Sequence, residues 1–89
     1  MPTTEDVFEA VKEEREYQDA RWGQDHDIQH SIIDFSTFME EYLSRAKKAQ
    51  VGAMYGPGSD AYALDCMRKV VALGVACLES HGIVPRSES

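Results

Sequence analysis

The sequence predicts an all-α protein of three helices with no credible pair of strands, and three observations carry that reading. Residues 70–78, Val-Val-Ala-Leu-Gly-Val-Ala-Cys-Leu, run without a polar side chain, in continuation of a stretch of good helix formers from Ala61 to Lys69. Phe35, Phe38, Met39, Tyr42, Leu43, Ala46 and Ala49 recur at intervals of three and four, the repeat of a helix with one apolar side. Start and stop signals bracket the apolar run: Ser59-Asp60 follow a Gly56-Pro57-Gly58 break and suit a helix cap, while Gly82 and Pro85 suit its end.

The first helix is expected at about residues 4–22. Thr3 or Thr4 can cap it, and Glu5 and Asp6 stand in its first turn, where the helix dipole favours acids. Val7, Phe8 and Val11 begin a stripe that passes through Arg15 and Gln18 to Trp22. Polar side chains thus occupy the middle of the face expected to point inward. Glu9, Glu13, Glu14, Glu16 and Asp19 are expected on the remaining, acidic sides. Gly23 ends the helix, and 24–29 reads as a polar loop carrying His26 between Asp25 and Asp27, where solvated side chains are the simplest reading.

The second helix is expected at about 32–50, with Ser31 and Asp34 as a capping pair. Its polar side carries Glu40, Glu41, Ser44, Arg45, Lys47 and Lys48. Residues 51–58 form a Gly-rich connection, and the third helix follows at about 60–81. The apolar run makes that helix hydrophobic on every side, and two other helices are too few to sheathe it. A homo-oligomer, most simply a dimer, is therefore expected. A nine-residue run is too short to span a bilayer, which takes roughly 20 residues.

The length allows one domain over residues 1–89. A hydrophobic content of 43% suffices for a small core, and with few Gly or Pro the chain does not read as disordered. The N-terminal residues lack the basic and apolar regions of a signal peptide, so the expected location is cytoplasmic. Cys66 and Cys77 stand on one helix about 16 Å apart at ~1.5 Å per residue and cannot bridge each other there. Charge is uneven. Residues 1–41 hold 12 acids against 3 bases, and residues 42–89 hold 4 against 6. So acidic a front half disfavours binding along nucleic acid, whose affinity comes largely from Lys and Arg on phosphates. No phosphate-binding glycine loop of P-loop spacing, zinc-type Cys/His cluster or H-E-x-x-H motif occurs.

Three stretches resemble the MazG-like branch of the all-α nucleoside triphosphate pyrophosphohydrolases, whose small members are common in phage and other mobile DNA. Glu14-Arg15-Glu16-Tyr17-Gln18-Asp19-Ala20-Arg21-Trp22-Gly23 is similar to an "ER..QD.KWG" signature. Phe38-Met39-Glu40-Glu41 is similar to an "L.EE..E" helix, and the segment from Ala63-Leu64-Asp65 to Val75-Ala76-Cys77-Leu78-Glu79 to a closing helix with a "VA.VA..LE" run. Together they cover about residues 7–79, and the Trp-Gly segment is the most specific part.

The resemblance implies a helical oligomer that converts a nucleoside triphosphate to monophosphate and pyrophosphate. Paired carboxylates one turn apart on facing helices would hold Mg²⁺. It assigns Glu41 and Asp65, with Glu40 as a weaker candidate, to the metal, and Arg15, Gln18 and Trp22 to the substrate side. The chain departs from the motif at Ser44, Cys66 and Lys69, which stand where acids belong. Glu41 with Arg45, and Asp65 with Lys69, are spaced as ordinary i,i+4 ion pairs.

Two functions follow: a protein that binds, and if its acids suffice hydrolyses, nucleoside triphosphates with Mg²⁺; or the same scaffold with an eroded metal site, acting as an interaction module. From the residues alone, Trp22 suits either a core anchor or a stacking platform. Arg15 and Gln18 suit either a ligand or a satisfied buried network. Lys47, Lys48, Arg68 and Lys69 suit either a phosphate patch or a wet face.

Overall fold

The computed structural model describes residues 1–23, 29–52 and 57–87. Within them the chain forms three helices, α1 (Thr4–Trp22), α2 (Ile32–Gly52) and α3 (Pro57–His81), and no strand. The loop reading around His26 and most of the Gly-rich connection lie outside the described residues.

Local chemistry sets the helix ends. Thr3 Oγ1 accepts from the Asp6 N–H at 3.1 Å, and the Asp6 carboxylate accepts from the Thr3 N–H at 3.0 Å. Ser31 and Asp34 repeat the pattern at 3.1 and 2.9 Å. The backbone N–H groups of Thr3 and Ser31 hold the Asp6 and Asp34 carboxyls below their ordinary range. At the other ends, Gly23 (φ 81°) and Gly82 (φ 102°) take backbone conformations that a side chain resists, and their N–H groups close on Asp19 O and Leu78 O. The third helix begins at Pro57, about a turn before the expected Ser59-Asp60 cap, because proline suits a first helical position whose N–H has no partner anyway.

α2 and α3 run antiparallel. At one end Gln50 Nε2 donates to Ser59 Oγ and Asp60 Oδ1, and at the other His81 Nε2 lies 2.8 Å from the His30 carbonyl oxygen. Between those ends Phe35, Leu73 and Ala76 form the core, with Met39, Tyr42 and Cys77 packed against it. Phe35 is 1% exposed. The expected apolar stripe of α2 is thus present and faces α3.

α1 crosses α3. Its adjacent residues Glu14 and Arg15 reach Arg68 and Glu79, which stand about 16 Å apart along α3 at ~1.5 Å per residue. Neighbouring side chains of α1 thus diverge to opposite ends of this stretch of α3. Fully buried Ala72 lies between these two anchors on α3. The crossing corrects the expected inner face of α1: Val11, Glu14, Arg15 and Gln18 are buried, whereas Val7 and Phe8 are exposed. Glu14, expected on an outer acidic side, points inward.

Nor is α3 sheathed on all sides within one chain. Its cores are Cys66, Val70, Ala72, Leu73 and Ala76, but Leu64, Met67, Val71 and Leu78 are 43–69% exposed. No helix among the described residues is long and apolar enough to cross a membrane.

Removing the Phe35 ring should cost about 3–5 kcal/mol, the usual range for a buried aromatic truncated to alanine, in urea unfolding of Phe35→Ala. Gly74→Ala should act oppositely. A methyl there would meet Met39 Cε at 3.5 Å, an ordinary contact, while glycine inside a helix costs roughly 0.5–1 kcal/mol. A rise in the midpoint of thermal unfolding is expected for that variant.

Candidate functional site

All three helices contribute to a cavity of about 310 Å³. From α2 come Phe35, Phe38, Tyr42 and Arg45, spaced three, four and three apart so that they line one stripe, with Glu41 beside them. α1 contributes Gln18 and Trp22, one turn apart, and α3 contributes Leu73. His30 closes one side. Its ring meets Phe35 and Phe38 edge-on at 5.9 and 5.0 Å, which fixes both phenylalanines in place. The volume sits at the small end of the range for small-molecule sites, roughly 300–1,000 Å³, and the walls are mostly aromatic with few polar groups.

Gln18 is the polar group whose orientation is determined. Arg15 Nη1 donates to Gln18 Oε1 at 3.0 Å, and an arginine can only donate. The Gln18 amide nitrogen must therefore face the other way. No hydrogen bond from it to a described residue is formed, and no buried side-chain polar atom among the described residues is left unpaired. Gln18 itself borders this cavity and a second one beside it. Arg15 is itself held by Glu79 at 2.9 Å and Asp19 at 3.1 Å. Of the three residues assigned to substrate, Gln18 and Trp22 come together at the cavity, while Arg15 stands behind Gln18 and positions it. Trp22 is 46% exposed, so it is a wall of the cleft rather than a core anchor.

A second cavity of about 230 Å³ shares Gln18, Trp22, Tyr42 and Leu73 with the first and adds Glu14, Tyr17, Arg21 and Lys69. Cations gather around the shared rings. The Arg45 guanidinium and Lys69 Nζ lie 5.1 and 5.5 Å from the Tyr42 ring centre, and the Arg21 guanidinium lies 5.7 Å from that of Trp22. Arg21 Nη1 also donates to Tyr17 OH at 3.1 Å.

The acids assigned to a metal are engaged elsewhere. Glu41 is paired with Arg45 at 3.0 Å. Asp65 is paired with Lys69 at 3.0 Å and with Arg68, which also takes the buried Glu14 at 2.9 Å. Glu40 is exposed. Among the described residues no three His, Cys, Asp or Glu side chains come together as a metal site. As arranged, these residues do not fit a divalent ion: two cations already occupy the positions from which they would neutralise Asp65. The hydrogen bond from Lys69, joined by Arg68, holds the Asp65 carboxyl below its ordinary range, and the same contact raises Lys69. The bond to Glu14 raises Arg68.

Phe38, Tyr42, Arg45 and Glu14 were not singled out as site residues by the sequence. The first two are indistinguishable from core positions in a periodicity reading. Glu14 is one acid among five on its helix. The only available signal was the alternation of Arg45 and Lys69 with the aromatic stripe. No family model, curated protein or solved structure matches the chain.

Arg68→Ala would strand Glu14, whose side chain is 7% exposed, without a partner. A loss of about 2 kcal/mol is expected in chemical denaturation, with much of it recovered in the Glu14→Gln, Arg68→Ala double variant. The Asp65 pairs stabilise above the ordinary carboxylate pKa and are lost as pH falls through the lowered value. Wild type should therefore melt above Asp65→Asn at neutral pH, and the gap should close well below about pH 4.

Proposed function

We propose that this protein binds nucleotides, with the base in the aromatic cavity between α1, α2 and α3. The observation that carries the reading is the fixed amide of Gln18. Held by Arg15, it offers a hydrogen-bond donor inside walls of Phe38, Tyr42 and Trp22. A flat heteroaromatic ring with a carbonyl or ring-nitrogen acceptor on its edge is the ligand chemistry that such a pocket recognises. Gln18 and Trp22 both belong to the segment that resembles the MazG-like pyrophosphohydrolases, so the proposed relation to that family and the proposed ligand agree. Hydrolysis is the part of the resemblance without structural support. Its Mg²⁺ needs converging acids, and Glu41 and Asp65 are committed to Arg45, Arg68 and Lys69. We therefore favour binding over turnover, and a cytoplasmic protein over a secreted one.

Trp22 is the single tryptophan of the chain and lines the cavity, so its fluorescence reports occupancy. Titration with nucleosides and nucleotides of each base should change that emission saturably. Gln18→Ala and Phe38→Ala should each weaken binding about tenfold, the equivalent of ~1.4 kcal/mol. Pyrophosphate release with Mg²⁺ or Mn²⁺ should stay at background. A flat titration with every base would remove the reading.

A second reading, compatible with the first, is a homodimer. Leu64, Met67, Val71 and Leu78 form an exposed apolar stripe on α3, continued by Val7 and Phe8 of α1. We propose that a second copy covers it, as the all-round apolar helix suggests. Sedimentation should give a dimer at micromolar concentration and a monomer for Val71→Glu.

A further inference from the structure

We propose that the ligand carries a single phosphate and binds without a divalent cation, its base in the aromatic cavity and its phosphate on Lys69 and Arg21 in the adjoining one. This rests on the nucleotide reading and specifies the ligand of the same cleft.

The two cavities meet across Trp22 and Tyr42, which line both. A base packed against Phe38 and Tyr42 would place its tail beside this shared wall, next to the second cavity. There the groups change character. Lys69 Nζ and the Arg21 guanidinium supply cations, and Tyr17 supplies a hydroxyl. Lys69 has three N–H donors, of which Asp65 at 3.0 Å engages one, and the remaining donors are available to a phosphate oxygen. Arg21 is exposed and spends one of its five donors on Tyr17. Both cations already sit over aromatic rings of the shared wall, so an anion that joins them finds them in place.

Charge decides how many phosphates fit. Among the described residues that line the two cavities stand the cations Arg21, Arg45 and Lys69 and the acids Glu14 and Glu41. The excess is one cation. A phosphate monoester carries about −1.5 to −2 at neutral pH, which this excess largely balances. A triphosphate chain multiplies that charge and, with no metal-binding group of acids among the described residues to escort it, would lie against Glu14 uncompensated. Lys69 stands where the resemblance expects an acid, so the cleft supplies a cation of its own.

The test is a matched series of nucleoside, 5′-monophosphate and 5′-triphosphate of one base, read by Trp22 emission in EDTA and again in excess Mg²⁺. The base is the one that gives the largest response in the panel. The monophosphate should bind at least tenfold tighter than the nucleoside and tighter than the triphosphate, with less than a twofold change between EDTA and Mg²⁺. Lys69→Met and Arg21→Met should each shrink the advantage of monophosphate over nucleoside. Arg21 is exposed, so its variant folds even if loss of the Asp65 pair unsettles the first. Equal binding of nucleoside and monophosphate would overturn the phosphate assignment and leave the base pocket standing. A triphosphate that binds best, and only with Mg²⁺, would overturn the metal-free arrangement. Silence across the whole series would remove the base pocket as well.

Discussion

Two ion pairs between α1 and α3 govern the arrangement of everything else. Glu14 and Arg15 are neighbours in sequence, yet they reach Arg68 and Glu79, eleven residues apart on α3. That reach sets the crossing of α1 and brings Gln18 and Trp22 over the aromatic stripe of α2. A helix docked by an apolar stripe can slide or rotate by small amounts at little cost. One docked by a buried carboxylate and a buried guanidinium cannot, because a misplaced charge would lose its partner inside the protein. Only Val11 among the buried residues of α1 is apolar. The helix therefore gains specificity of placement more than hydrophobic stabilisation.

The same guanidinium couples fold and cleft. Arg15 contacts Glu79 on α3 and Gln18 on its own helix, so the structural anchor also orients the Gln18 amide. On the far side of the cleft, the Arg68 and Lys69 network does comparable work around Asp65 and Glu14. A set of side chains that would be costly to bury singly is made tolerable because each has a partner of opposite sign. The cleft between the two networks is left with aromatic walls, one directed amide and a small excess of positive charge.

The apolar outer stripe of α3 belongs to a separate economy of the molecule. Leu64, Met67, Val71 and Leu78 lie outside the Phe35, Leu73 and Ala76 core, yet they stand on the same helix as Leu73 and Ala76. A helix apolar on all sides can bury only as much as its neighbours cover, and here α1 crosses rather than runs along it. The exposed side of α3 lies opposite Leu73, which lines the aromatic cleft.

Sequence alone determined the number of helices among the described residues and their approximate extents, the Ser31–Asp34 capping pair, the apolar face of α2 and the glycines that end α1 and α3, because each depends on residues within a few positions of one another. It also marked Arg15 and Gln18 as inward polar groups and Trp22 as a candidate for a ligand. Tertiary structure decided what those residues do. The inner face of α1 turned from Val7 and Phe8 towards Glu14, since partners 54 and 64 residues away in the chain outweigh a local apolar stripe. Phe38, read as part of the apolar face, and Arg45, read as part of the polar side, both line the cleft for the same reason. Whether an aromatic side chain on an amphipathic helix is covered or lines an opening depends on how the next helix crosses it, and that angle is set by contacts that no local pattern encodes.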